Sequence, residues 1–175
     1  IHASGGIPGD IHKLWRSQAP TDYHSEYGYS CMGYEIAGAL GIKLAAPARD
    51  VYAFLGDGSY LMLHTEIVTA VQEGLKLTIV LVDNHGFGCI HGLQRGSGGN
   101  SFGNEFRHRA GRTGRLEGRP VDVDFAKNAE SLGATGVRAH TPAELRSALA
   151  KAKTTSGVVL IFVTTPADVR LPGYS

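Results

Sequence analysis

Two apolar runs on either side of an amphipathic stretch constrain the fold of this chain more than any other feature. Residues 51–55 and 77–82 are short and rich in β-branched or aromatic side chains, whereas residues 60–73 repeat their apolar side chains at helical spacing. This pattern predicts a strand, a helix and a second strand. Such units almost always cross over right-handed, so the two strands should be parallel and end at the same edge of one sheet.

The rest of the chain continues this alternation of helical and strand patterns. Residues 30–45 have helical spacing, Asp124 is a candidate N-cap for a short helix, and Thr141-Pro142-Ala143-Glu144 has the form of a capping box. Residues 158–163 form a continuous apolar run, as in a strand that is covered on both faces. We therefore predict one α/β domain over residues 1–175, with three α/β/α layers and a mostly parallel sheet.

The composition is ordinary and excludes several classes of protein. Of the 175 residues, 42% are hydrophobic and 19% are charged, and the net charge of +1 gives no signature of nucleic-acid or membrane binding. There is no signal peptide and no membrane-length apolar run, so we expect a cytoplasmic location. The chain lacks a starting Met and residues 1–6 read as a strand end running into a glycine turn, so we expect it to be part of a longer polypeptide. Gly5, Gly6, Pro8 and Gly9 predict a loop over residues 1–10.

Polar residues follow both strands of the central unit at the points where these strands end. Asp57 lies within Gly56-Asp57-Gly58 after the first strand, and Asn84 follows the second. The glycines allow a ligand to approach closely, and free N–H groups of the following helix favour a phosphate there. Mg²⁺ would remove the repulsion between this phosphate and Asp57. We predict a clamp for Mg²⁺ and a diphosphate, formed by Asp57, the Asn84 side chain and a carbonyl near Gly86. The alternative is an ordinary unit in which Asp57 caps a helix and Asn84 lies in a turn.

These residues resemble the cofactor motif of thiamine diphosphate-dependent enzymes. A Gly-Asp-Gly sequence is followed, 27 residues after its aspartate, by Asn84, although Asp83 replaces the first asparagine of the usual pair. The resemblance implies a thiamine diphosphate-binding fold with Mg²⁺ as the second cofactor. The residues expected to contact thiamine diphosphate are Gly5, Gly6, Ile7, Ser30, Met32, Gly56, Gly58 and Ser59, and the expected metal ligands are Asp57, Asn84 and Gly86.

The resemblance also implies a role for two of these residues. Met32 lies 25 residues before Asp57, where a large apolar residue in related enzymes supports the bent arrangement of the two cofactor rings. The carbonyl of Ser30 would accept a hydrogen bond from the 4′-amino group of the cofactor. On residue type alone, Met32 is better explained as a flexible filler of the core, and its distance from the metal motif is what favours the ring support.

Longer strings resemble the thiamine diphosphate-dependent hydrolases of inositol catabolism. They lie at residues 8–15, 26–38, 84–90, 101–107 and 125–133. This resemblance implies a small cyclic dione as substrate, whose ring is opened to 5-deoxyglucuronate, and a homodimer or homotetramer. The pyrimidine-binding domain of a second subunit would face this pyrophosphate-binding domain and supply the catalytic glutamate. We therefore expect no catalytic residue in this chain and no activity of the chain alone.

Residues 85–120 form the longest stretch without periodicity and are predicted to be a loop over the cofactor and substrate. His85, His91 and Gln94 are its candidates for substrate contact, and its six arginines could attract an anion or RNA. RNA is disfavoured because few aromatic residues are interleaved with them. A separate pyrophosphate-binding subunit of another thiamine diphosphate-dependent decarboxylase or lyase remains an alternative. A Rossmann-type module is disfavoured because no complete GxGxxG motif follows a strand.

Overall fold

A parallel sheet of four strands forms the centre of the computed structural model, which describes residues 1–100 and 102–166. The strands are β1 (Tyr52–Gly56), β2 (Leu77–Asp83), β3 (Thr135–Ala139) and β4 (Val158–Thr164), and their order across the sheet is β1-β2-β4-β3. The predicted parallel pairing of the first two strands is confirmed, with Gly56 opposite Val82 at their carboxyl ends. Ser101 and residues 167–175, which fall within the predicted domain, lie outside the described residues.

Seven α-helices and one short 3₁₀ helix surround this sheet in the described part of the chain. The helices are α1 (Gly6–Leu14), α2 (Tyr34–Ala45), α3 (Asp57–Met62), α4 (Glu66–Gln72), α5 (Gly88–Gly96), α6 (Phe125–Ser131) and α7 (Pro142–Thr154), and the 3₁₀ helix is Pro20–Asp22. None of them is long and apolar enough to cross a membrane.

Alternating side chains of the strands separate the helices into two layers. On β4, Leu160 and Phe162 belong to the larger core, which also contains side chains of α2, α4 and α6. Val159 and Ile161 point to the other face, where they meet α7. Phe54 is in register with Ile161 through β2, and its ring contacts Trp15 directly after α1. Helices therefore cover both faces of the sheet, as the predicted three-layer architecture requires.

Both predicted helix caps near the end of the chain are confirmed. Asp124 accepts a hydrogen bond from the backbone N–H of Lys127 at 3.1 Å, and it begins α6. The hydroxyl of Thr141 accepts from the N–H of Glu144 at 3.2 Å, while the Glu144 carboxylate accepts from the N–H of Thr141. This reciprocal pair satisfies N–H groups that have no partner within α7.

Three predictions about local structure are wrong. The single helix over residues 60–73 is two helices, because Leu63 leaves the helical conformation (φ −154°, ψ 84°) and ends α3. The glycine-rich loop at residues 1–10 is helical from Gly6 onward, because Pro8 lies in the first turn of α1, where its missing N–H costs nothing. The predicted loop over residues 85–120 contains α5. Its apolar side chains recur on one side of a helix, and this periodicity outweighs the low helix propensity of Gly88 and Gly92.

Residues 104–121 form an arm that folds back beside the end of β2. Backbone hydrogen bonds join Phe87 to Asn104 at 2.7 Å and Phe106 to His85 at 2.9 Å. Further along, His108 donates to Arg119 and Val121 donates to Phe106, so the two sides of the arm run next to each other. The first residues of the arm are therefore hydrogen-bonded to the segment that contains Asn84 and Gly86.

Candidate cofactor and metal site

The parallel sheet brings Asp57 and Asn84 to one edge. Asp57 follows β1 directly, and Asn84 follows β2 directly, with these two strands hydrogen-bonded to each other. Asp57 is buried, with 1% of its surface exposed. The carboxyl ends of neighbouring parallel strands therefore hold a buried carboxylate next to a side-chain amide, as the sequence predicted.

Direct contacts connect the three predicted metal ligands. The backbone N–H of Gly86 donates to Asp57 Oδ2 at 2.6 Å. With its amide oriented to satisfy hydrogen bonds, Asn84 donates from Nδ2 to Asp57 Oδ1 at 3.2 Å and to the carbonyl oxygen of Gly86 at 2.8 Å. Rotating this amide by half a turn would place Asn84 Oδ1 where Nδ2 lies, so that it would face Asp57 Oδ1 and the Gly86 carbonyl oxygen.

The Asp57 carboxylate lies in an unfavourable electrostatic environment. Burial, followed by the neighbouring Asp83 carboxyl, raises the pKa of Asp57 to about 7, against a partial lowering by the N–H groups of Gly86 and Gly58. Asp83 is itself 3% exposed, and it accepts a hydrogen bond from the N–H of His85 at 2.8 Å. A positive charge between these oxygens would stabilise the ionised form of Asp57.

The donor set fits a hard divalent cation. One carboxylate, one amide oxygen and one backbone carbonyl are all oxygen ligands, which Mg²⁺ and Ca²⁺ prefer over nitrogen and sulfur. Within residues 1–100 and 102–166, no group of three or more His, Cys, Asp or Glu side chains could hold a metal ion. A cation at this edge would thus depend on Asn84 and on a main-chain oxygen, and the remaining positions would be open to phosphate and water.

A cleft of about 70 Å³ collects all the predicted cofactor and metal residues except Ser30. Its lining includes Gly5, Gly6, Ile7, Met32, Gly56, Asp57, Gly58, Ser59, Asn84 and Gly86. Sequence reasoning missed Phe87, Gly88, Cys89 and Ile90, which also line it. The helical spacing that begins at Gly88 was the available signal for these residues.

Phe87 packs against the Gly-Asp-Gly turn at a point where only glycine fits. A Cβ on Gly58 would lie 2.6 Å from the Phe87 ring, and the far side of this ring meets Phe106 edge to face at 5.6 Å between centroids. Gly86 has a φ of +145°, and a Cβ on it would overlap the carbonyl oxygen of Asn104. Close backbone approach therefore fixes the relative position of the two strand ends.

The segment that contains Ser30 and Met32 is held by backbone hydrogen bonds to side chains. The Glu26 carboxylate accepts from the N–H of Tyr29 at 3.1 Å and from that of Cys31 at 2.5 Å. These bonds lower the pKa of Glu26, the Cys31 bond contributing most. Ser30 has a φ of +53°, and its carbonyl accepts from the N–H of Met32 at 2.9 Å, which closes a tight turn. Met32 lines the cleft, whereas Ser30 does not.

Glu35 is a buried residue that is hydrogen-bonded to the cleft residue Ser59, and sequence reasoning did not single it out. Its side chain is fully buried, the Ser59 hydroxyl lies 2.8 and 2.7 Å from its two carboxylate oxygens, and the N–H of Gly33 donates to it at 3.0 Å. Burial raises the pKa of Glu35 despite these hydrogen bonds. The Ser59 hydroxyl is thus committed to Glu35 and Gly33, so any contact of Ser59 with a cofactor would come from its backbone. The available signal was a glutamate within an otherwise apolar helical stretch.

The predicted substrate-contact residues lie outside this cleft. His85 Nδ1 is 3.6 Å from Asp83 Oδ1, and His91 Nδ1 is 4.0 Å from Glu105 Oε2. The Gln94 oxygen accepts from the N–H of Phe102 and from the Asn104 amide, at 2.8 and 2.7 Å, so it supports the start of the arm.

A larger cavity lies at the opposite end of β1. It has a volume of about 350 Å³, and Trp15, His24 and Tyr52 are among its lining residues. Trp15 and His24 therefore face this cavity and not the cleft that contains Asp57. In parallel α/β sheets ligands bind outside the carboxyl ends of the strands, which favours the smaller cleft as the cofactor site.

The fold and this site define a class of protein. The chain matches the family described as "Thiamine pyrophosphate enzyme, C-terminal TPP binding domain" over residues 3–163. The chain belongs to this family, whose cofactor is thiamine diphosphate under its other name. The family resemblance drawn from the cofactor motif is thereby confirmed.

Curated relatives narrow the similarity to one kind of enzyme. The chain is 51% identical over 153 residues to a 3D-(3,5/4)-trihydroxycyclohexane-1,2-dione hydrolase of Clostridium tetani, which covers 87% of this chain and 24% of that protein. It is 48% identical over 174 residues to 3D-(3,5/4)-trihydroxycyclohexane-1,2-dione hydrolase 2 of Bacillus cereus, covering 99% of this chain and 27% of that protein. The chain thus spans about a quarter of the length of these relatives.

A solved structure supports the fold. The thiamine diphosphate-dependent 4-hydroxybenzoylformate decarboxylase of Rhodococcus jostii aligns with a TM-score of 0.68 and 24% sequence identity, over 81% of this chain and 25% of that one. At this identity the likeness shows that the architecture is shared, and it carries no information about substrate.

Proposed function

We propose that this domain binds the diphosphate of thiamine diphosphate through Mg²⁺ held by Asp57, Asn84 and the Gly86 carbonyl. The observation that carries the proposal is the meeting of the Asn84 amide with oxygens of both Asp57 and Gly86, at 3.2 and 2.8 Å. The buried carboxylate and a diphosphate would repel each other because both are negatively charged, and a cation between them offsets this repulsion.

The cleft lining supports distinct tasks for different groups of residues. Gly56, Gly58 and the backbone of Ser59 lie on the Asp57 side, where small residues leave room for phosphate oxygens. Gly5, Gly6 and Ile7 lie at the start of α1 and would contact the outer diphosphate oxygens. Met32, which also lines the cleft, would support the cofactor rings. The Ser30 carbonyl, which already accepts from Met32, would use its second lone pair for the 4′-amino group.

The reaction we propose is the hydrolytic C–C cleavage of a trihydroxycyclohexane-1,2-dione to 5-deoxyglucuronate, in myo-inositol degradation. The supporting finding is 47–51% identity to hydrolases named for this substrate. When bound, thiamine diphosphate supplies a nucleophilic carbon that adds to a carbonyl and then accepts the electrons of the broken bond. The residues of this chain would bind and orient that cofactor.

The proposal assigns the remaining machinery to another part of the enzyme. A pyrimidine-binding domain, contributed by a second subunit of a homodimer or homotetramer, would supply the glutamate that activates the cofactor and complete the substrate pocket. No residue of this chain is proposed as catalytic, and the chain alone is expected to be inactive. The cytoplasmic location stays a prediction.

The proposal is tested by calorimetric titration of the intact protein with thiamine diphosphate, with and without Mg²⁺. We expect binding that depends on Mg²⁺ and that Asp57→Ala abolishes, because the only carboxylate among the proposed ligands is lost. Asp122→Ala is the matched control, because its carboxylate is 80% exposed, pairs with Arg119 at 3.4 Å and does not line the cleft, so its loss should leave affinity unchanged. Thiamine diphosphate affinity that is indifferent to Mg²⁺ and to Asp57 would refute the clamp.

Substrate class needs a separate assay, because the fold is shared with a decarboxylase. The intact protein should open the cyclic dione ring and should release no CO₂ from 2-oxo acids. Decarboxylation of a 2-oxo acid without ring opening would instead favour another thiamine diphosphate-dependent enzyme.

A further inference from the structure

We propose that Glu35 is a positioning residue, which holds Met32 at a fixed distance from the diphosphate anchor through Ser59 and Gly33. The inference rests on the proposed function and deepens it. It predicts that Glu35 affects how well the cofactor rings are bound and leaves the binding of the diphosphate alone unaffected.

Glu35 connects two segments that are far apart in the sequence. The Ser59 hydroxyl lies 2.7 Å from Glu35 Oε2, and the N–H of Gly33 donates both to Ser59 Oγ at 2.7 Å and to Glu35 Oε2 at 3.0 Å. Ser59 is two residues after Asp57, and Gly33 directly follows Met32. One hydrogen-bonded triangle therefore joins the proposed diphosphate turn to the proposed ring support.

The other end of the Met32 segment is held by separate hydrogen bonds, so the triangle holds the end that is next to Met32. At its other end the Glu26 carboxylate fixes the N–H groups of Tyr29 and Cys31. Gly33 has a φ of +89°, and a Cβ on it would lie 3.3 Å from Cβ of both Met62 and Leu63, which leaves little room for the turn to shift. Loss of the Glu35 contacts would release the end of the segment that is adjacent to Met32.

A helix cap alone does not account for a fully buried carboxylate. Gly33 is the N-cap residue of α2, so the Glu35 bond to its N–H does help to begin this helix. An exposed Asp or Ser can cap a helix without the desolvation cost that a buried carboxylate carries. The bond from Ser59, 24 residues away, is the part of the arrangement that capping does not require.

The test compares two ligands in the intact protein: thiamine diphosphate and inorganic pyrophosphate, each with Mg²⁺. Glu35→Ala should weaken thiamine diphosphate by about tenfold or more, the usual effect of losing hydrogen bonds to a charged group, and change pyrophosphate less than about twofold. Glu35→Gln keeps an acceptor of the same shape and should recover most of the lost affinity. Glu73→Ala removes an exposed glutamate at the end of α4 and should change neither ligand.

A double-mutant cycle with Met32→Ala tests whether Glu35 acts through Met32. If it does, Glu35→Ala will add little to the loss of thiamine diphosphate affinity in the Met32→Ala background. Ser59→Ala removes the same link without changing a charge, so it should reproduce the ligand selectivity of Glu35→Ala even if the latter folds poorly.

Three outcomes would overturn the inference. Equal weakening of both ligands by Glu35→Ala would mean that Glu35 supports the whole site. If Glu35→Ala lowered the melting temperature but left both affinities unchanged, Glu35 would serve only as a helix cap. Failure of the unaltered protein to bind either ligand would refute the proposed function itself. This result is distinguishable from failure of the Glu35 inference, because it is seen without any variant.

Discussion

Replacing Gly86 by alanine should displace one proposed metal ligand by a steric effect alone. A Cβ at this position would overlap the Asn104 carbonyl oxygen and lie 2.8 Å from Cα of Glu105, and the φ of +145° disfavours any L-residue. Because the obstructing atoms are backbone, the chain of the arm must move away from the end of β2.

The contacts at this point set the size of the effect. The positive φ costs an alanine about 1–2 kcal/mol. Moving the arm breaks the bonds from Phe87 to Asn104 and from Phe106 to His85, each contributing about 1 kcal/mol. The local structure should therefore lose about 3 kcal/mol, which corresponds to about a hundredfold faster amide exchange at Phe87 and Phe106.

Hydrogen exchange and calorimetry on the intact protein measure the two consequences separately. Exchange in the Mg²⁺-free protein reports the opening of the arm, and titration with thiamine diphosphate and Mg²⁺ reports the loss of the Gly86 carbonyl as a ligand. Gly114→Ala is the matched control, because its φ is +67° but no atom lies within 4 Å of the new Cβ. Gly111→Ala, with open space and an ordinary φ, should behave as the unaltered protein.

The controls decide whether the close approach matters. We expect Gly114→Ala to lose only the backbone term of about 1 kcal/mol and to bind the cofactor normally. If Gly86→Ala exchanged no faster than Gly114→Ala and bound thiamine diphosphate equally well, the packing of the arm against Gly86 would have no role in forming the site.

Three further predictions concern stability. Burial raises the pKa of Glu35, so its protonation stabilises the folded protein at low pH, and this stability is lost as the pH rises from about 4.5 toward the folded pKa. Glu35→Gln should therefore flatten the dependence of melting temperature on pH across this window. An unchanged slope would count against a buried ionisable Glu35. Asp124→Ala should lower the free energy of unfolding by about 1 kcal/mol, because it removes the cap of α6, and denaturant unfolding measures this loss. Lys127→Ala is a control that retains the cap. Equal stability of the two variants would contradict the capping role. Leu81→Ala should cost about 3 kcal/mol by leaving a cavity in the larger core, and a loss below about 1 kcal/mol would mean that the core closes around it.

The sequence was sufficient where local spacing carries the information. Strand and helix periods around residues 51–82 determine the crossover, and the right-handed rule then places Asp57 and Asn84 at one edge. The caps at Asp124 and Thr141 follow from contacts within a few residues, so they too could be predicted. Gly56, Gly58 and Ser59 line the cleft because they flank Asp57, whereas Gly5, Gly6, Ile7 and Met32 were indicated by the family resemblance.

Local signals failed where a distant contact overrides them. Glycines at residues 5–9 suggested a loop, yet α1 forms there and covers β1, which Ile1 also joins through a hydrogen bond from Phe54 at 2.9 Å. The periodic stretch at residues 60–73 suggested one helix, yet it is interrupted at Leu63, beside the turn at Gly33. In both cases the packing of a neighbouring segment outweighs a propensity of about 1 kcal/mol per residue.

The sequence by itself thus determined the parallel α/β fold, the family and the pair of strand ends that hold Asp57 and Asn84. Only the tertiary structure decided how these ends are supported: Phe87 against Gly58, the arm against Gly86, and Glu35 between Gly33 and Ser59. The physical reason is that periodicity and capping act over a few residues, whereas these supports join segments that are 18 to 29 positions apart and are brought together by the tertiary fold.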